Sequence, residues 1–133
     1  MSKITSFSLL CCGVYAFTSA AAAADRNQAE TLFRQNNYAE AYPHFQTLAV
    51  QADTPAQLAA QDLLRAILCL RHLNRVAEWD DLREQVAAAH PGDWAVATAI
   101  ANANRSMPSW GYVTAGQFTR GDQRGGNWQN HRS

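Results

Sequence analysis

Cys69 and His72 stand three apart, a spacing at which a thiolate and an imidazole on one helix could both touch a metal ion. The neighbours of this pair are leucine and isoleucine, so the residues read as a buried thiol beside a rim histidine. His44, His72, His90 and His131 are scattered, and no two share metal-binding spacing on one helix. Asp80, Asp81 and Glu84 cluster, and Asp80 with Glu84 would face the same way, as a calcium or catalytic carboxylate pair requires. Arg83 sits among them and no loop of alternating acidic ligands follows, so they read as a solvated face. No glycine-rich loop follows a strand and no serine occupies a nucleophile elbow. The residues therefore point away from an enzyme, and neither metal nor cofactor is expected.

The tail holds two short motifs. Arg120-Gly121 and Arg124-Gly125-Gly126 lie near aromatics, as in segments that stack on RNA bases, but one such unit is little and a leader directs the chain outward. The spelling Arg120-Gly121-Asp122 matches an adhesion tripeptide at the level chance provides. The formal charge is zero and Lys3 is the only lysine, so no nucleic-acid partner is expected.

The elements that would carry these residues can be read from periodicity. In a chain of 133 residues one domain is expected, organised as a signal peptide over 1–24, a helical domain over 25–105 and a tail over 106–133. Lys3, the uncharged run Ile4 to Ala20 and the alanines to Ala24 have the layout of a secretory leader, which predicts an exported protein, periplasmic or secreted. Cys11 and Cys12 lie in that run. Membrane attachment is expected only through the leader or through lipidation at Cys12, and removal of the leader would leave Cys69 as the one thiol.

Tyr38, Ala41, Tyr42, Phe45, Leu48 and Ala49 fall on one stripe of a 3.6-residue helix, with Asn37 and Glu40 placed to form a reciprocal cap and Pro43 predicting a slight kink. Thr54, Pro55 and Gln57 signal a second start, and Leu58 to Leu73 is predicted helical with Leu63, Leu64, Ala66, Ile67, Leu68, Cys69 and Leu70 covering more than one face. After a turn at Asn74-Arg75, Val76 to Ala89 resumes with Val76, Trp79, Leu82, Val86 and Ala89 inward, until Pro91 and Gly92 stop it. Asp93 caps a further helix, Trp94 to about Asn104, with Val96, Ala97, Ile100 and Ala101 expected inside. The fold class is all-α, about five helices in antiparallel pairs. The remainder is an irregular tail, with Tyr112 to Ala115 its only weak strand candidate. Between Asp25 and Asn104 ten acidic residues face six arginines, whereas Arg105 to Ser133 has four arginines against Asp122.

Ala29, Leu32, Asn36, Tyr38, Ala41 and Phe45 together resemble one tetratricopeptide repeat, and Asn74, Val76, Leu82, Val86 and Pro91 land near the same places about 38 residues on. Trp79 and Ile67 depart from the pattern, standing where that family has small residues. The resemblance implies stacked helix pairs whose first helices line a groove for a protein or peptide partner. It assigns the groove to Arg26, Glu30, Phe33 and Arg34 in the first pair and to Gln61, Arg71 and His72 in the second. Arg26, Glu30 and Arg34 share a helix face, so two arginines could hold a ligand carboxylate or could salt-bridge to Glu30. The run Met107 to Tyr112, followed by Gly116-Gln117-Phe118, Arg120-Gly121 and Arg124-Gly125-Gly126, is similar to a segment of large secreted bacterial proteins of the alpha-macroglobulin type. That likeness implies a structural lead-in, or a truncated relative, of a larger chain.

Overall fold

The structure is a computed structural model and describes residues 13–130. Residues 1–12, with Cys11 and Cys12, lie outside the described residues, as does His131. Five α-helices run in order, α1 (Gly13–Arg34), α2 (Tyr38–Val50), α3 (Ala56–His72), α4 (Trp79–Ala89) and α5 (Trp94–Ser106), with a 3-10 turn at Val76–Glu78 leading into α4. Three strands follow, β1 (Trp110–Thr114), β2 (Gln117–Arg120) and β3 (Asn127–Asn130). Among the described residues no helix is long and apolar enough to cross a membrane.

Two of the helix connections are the same turn made twice. Asn36 and Asn74 take φ of 60° and 55°, the left-handed conformation that asparagine tolerates better than most residues. In the first turn Asn37 N–H donates to Leu32 O at 2.9 Å and Asn36 N–H to Phe33 O at 3.0 Å. In the second, Arg75 N–H donates to Leu70 O at 2.8 Å and Asn74 N–H to Arg71 O at 3.2 Å. Each pair is the double closure that ends a helix and reverses the chain, so α1 with α2 and α3 with α4 form two hairpins of one design.

The hairpins stack in the same sense. Arg26 and Glu30 of α1 meet Asp62 and Arg65 of α3 in ascending order, and Ala49 at the end of α2 meets His90 at the end of α4. The interior between them is Ala29, Ala41, Phe45, Ala59, Leu63, Ala66 and Leu70, continued by Trp79, Leu82 and Val86. α5 closes the stack with Ala95, Val96, Ala99 and Ala103, and the Trp79 indole N–H donates to Asn104 Oδ1 at 2.9 Å. Trp79, where the repeat pattern has a small residue, is fully buried.

Several local expectations are corrected. Asn37 precedes α2 but its side chain makes no capping bond, because ψ of 66° is set by the tight turn it shares with Asn36. The Thr54 hydroxyl does not cap α3 either; it donates to Leu48 O at 3.0 Å. Thr54 and His90 thus satisfy two carbonyls at the end of α2 that the helix leaves open. Asp93 does cap α5, accepting from Ala95 and Val96 N–H. Ala97 and Ala101 are exposed and Ala95, Ala99 and Ala103 take their place, since alanines on every face leave the helix phase to its packing partners. Leu64 is exposed and Leu68 half-buried.

The chain is mostly helical rather than all-α, because the tail folds as an antiparallel sheet in the order β2-β1-β3. Thr114 faces Gln117 across Ala115 and Gly116, whose φ of 52° and 80° are both positive, as a two-residue hairpin turn requires. On its other side β1 pairs β3, setting Tyr112 opposite Trp128. The sheet is tied to the helices at one corner. Arg120 donates to both carboxylate oxygens of Asp80, at 3.1 and 3.0 Å, and to Pro108 O. Gly121 lies against Val76, where an added Cβ would come within 2.8 Å of a methyl group.

Candidate binding face

The face where α1 and α3 lie side by side carries the residues that the repeat resemblance assigns to a groove. Arg26 reaches across to Asp62 through two hydrogen bonds of 2.8 and 2.5 Å. Asp62 is only 2% exposed, so the pair is a charged fork set into the seam. These bonds hold the Arg26 guanidinium above its ordinary pKa, against the smaller opposing cost of burial. Glu30 pairs with Arg65 at 2.7 Å rather than with Arg26 or Arg34 of its own helix, and Arg34 donates instead to the Glu30 backbone carbonyl at 3.2 Å. Cross-helix pairing is the better use of these side chains because α3 brings opposite charges to each at bonding distance.

Phe33 extends the seam toward the hairpin turns. The Arg65 guanidinium lies 4.7 Å from its ring centroid, and the ring meets Tyr38 and Phe45 edge-on at 5.3 and 6.3 Å. His72 stacks on Tyr38 at 4.1 Å with planes 3° apart, and the Tyr38 hydroxyl donates to Asn36 Oδ1 at 2.9 Å. Of the seven residues assigned to the groove, Arg26, Glu30, Phe33 and His72 are therefore engaged between helices. Gln61 and Arg71 are exposed, and among the described residues neither has a hydrogen-bond or ion-pair partner. Gln61, Leu64, Leu68 and Arg71 stand at i, i+3, i+7 and i+10 on α3, one stripe of the helix. Leu64 and Leu68, expected in the core from their apolar character, lie on this face instead.

Asp62, Arg65 and Tyr38 were likewise not singled out for this face. Asp62 left a signal, since an acid between Ala59, Leu63 and Ala66 on a buried stripe demands a cation from elsewhere in the chain. Cys69 lies behind the face, fully buried, and burial pushes its thiol pKa up to about 11, which keeps it neutral and unreactive at neutral pH. Among the described residues no group of three or more histidine, cysteine or carboxylate side chains is placed to hold a metal. On the opposite side of the hairpins, Gln46, Thr47, Val50, Gln51 and Gln85 line an open recess of about 330 Å³.

The arrangement presents a strip of apolar surface, Leu64 and Leu68, flanked by the Gln61 amide and the Arg71 guanidinium. Comparison with protein-family models, curated proteins and solved structures finds no match to this chain.

Proposed function

We propose that this chain is a non-enzymatic protein-interaction module, of tetratricopeptide type, in an exported protein that acts in the periplasm or outside the cell. The observation that carries this reading is the locked seam: Arg26–Asp62 and Arg65–Glu30 fix α1 beside α3, and an exposed Leu64, a half-buried Leu68 and an Arg71 without a partner among the described residues stay on one stripe. An apolar strip with an exposed guanidinium at its end suits an extended segment, or a helix, carrying apolar residues beside an acidic group. Export rests on the leader-like start, and cleavage near Ala24 would retain Arg26 and the seam it makes. The docking of the tail through Arg120, Asp80 and Gly121 favours a self-contained module over a mobile lead-in to further chain.

A photo-crosslinking residue at Leu64, in the full chain produced in cells, tests this. The expected result is a discrete polypeptide adduct from position 64 and none from the same group at Gln85, in the far recess. Adducts from Gln85 alone, or a small molecule bound in stoichiometric amount, overturn it.

A further inference from the structure

The outward face of α5 has a composition unlike a solvated helix face. Trp94, Thr98, Ala101 and Arg105 are all exposed, Trp94 at 72% of its surface. At 100° per residue they fall within a narrow strip, roughly opposite the buried Ala95, Val96, Ala99 and Ala103. From Asp93 to Ser106 the only charges are Asp93 at one end and Arg105 at the other. An exposed indole on a strip of small side chains, with charges of opposite sign at its ends, is self-complementary only when turned end for end.

We propose that α5 is a homodimerisation helix, pairing antiparallel with α5 of a second copy of this chain. With the two-fold axis passing between residues 99 and 100, Trp94 falls opposite Arg105 of the other copy, and Thr98 falls opposite its Ala101. The guanidinium then lies over the indole, each Asp93 end meets an Arg105 end, and the opposed helix dipoles attract. A parallel pairing would set Arg105 against Arg105 and is disfavoured for that reason. Thr98 and Ala101 are small enough for close approach of the two helices, and the symmetric contact closes on itself as a dimer. A single helix of this length covers less than the roughly 800 Å² per partner of a standard interface, which places the dimer in the weak, transient class.

Sedimentation velocity of the full chain, from about 10 µM to about 1 mM as a weak contact requires, should show a concentration-dependent dimer. Trp94→Arg, which sets two guanidinium groups face to face, should raise Kd at least about tenfold, and Trp94→Arg with Arg105→Glu should restore it by opposing unlike charges. Circular dichroism of both variants should match the parent, since both positions are exposed. The proposal is overturned by a monomer over the whole range, by a Trp94→Arg variant that dimerises as before, or by failure of the double variant to recover. Loss of the dimer through Trp128→Arg instead would move the contact to the open edge of β3.

Discussion

Replacing Arg26 by methionine removes the guanidinium and keeps most of the apolar stem, so the result isolates what the charge does for Asp62. In the parent, Asp62 is 2% exposed and both its oxygens are bonded by Arg26, which itself is 19% exposed. The variant leaves a carboxylate in the seam between α1 and α3 with no cation. Breaking a buried pair from one side costs about 3–5 kcal/mol, which is roughly a fifth or more of a typical domain's stability of about 5–15 kcal/mol. Urea unfolding followed by circular dichroism and by tryptophan fluorescence should show it. With a slope near 2 kcal/mol per M, the midpoint should fall by roughly 2 M. Asp62→Leu should cost less, since a partly exposed arginine can turn its head to water. The double variant Arg26→Met with Asp62→Leu should recover most of the loss, because an apolar pair of similar volume substitutes for a buried ion pair at little cost. A loss below about 1 kcal/mol in Arg26→Met, the range of surface pairs, would refute the reasoning, since Asp62 would then have water as a partner.

Stability should also decline in alkali. The folded Cys69 thiol is raised to about 11 by burial, so below the ordinary thiol range its contribution is fully present. As pH rises from about 8.5 toward 11 the unfolded thiol ionises first, and stability falls by up to about 3 kcal/mol. Tyr42 is raised too, chiefly by burial, and adds in the same direction; urea midpoints of Cys69→Ala should show a flatter alkaline slope, and an unchanged slope would contradict the assignment. Gly111→Ala should undo the β1–β2 pairing, since its Cβ would lie 2.1 Å from Thr119 O, and loss of amide protection at the strand residues would register it. Arg120→Ala should free the sheet from the helices while leaving them folded, raising amide exchange over 110–130 with little change in helical ellipticity.

Most of the helical body was legible in the sequence. Tyr38 to Ala49 and Leu63 to Leu70 carry period-3.6 apolar stripes, and Pro91, Gly92 and Asp93 mark a stop, a turn and a cap with side-chain chemistry that acts within a few residues. The 38-residue spacing of Asn36 and Asn74 was visible too, because one turn geometry selects the same residue twice. Of the sheet only part of β1 was legible, as the strand candidate Tyr112 to Ala115; the rest was not, because its pairings join Tyr112 to Trp128 and Gly111 to Arg120, and its hairpin places an alanine at positive φ where sequence rules look for asparagine or glycine.

The binding face divides along the same line. That Arg26, Glu30 and Arg34 share one helix face follows from their spacing, whereas their grouping with Phe33 as a groove is what the repeat resemblance implies. Which of them remained free was decided by α3, whose Asp62 and Arg65 arrive 35 or more positions later and claim Arg26 and Glu30. Local sequence sets backbone propensity, and the phase of those helices that carry a distinct apolar stripe, because those forces act over one or two turns; in the alanine-rich α5 the phase too was left to packing. Pairing of charges and strands belongs to the tertiary structure, because it depends on which distant segments the shared core brings within a few ångströms.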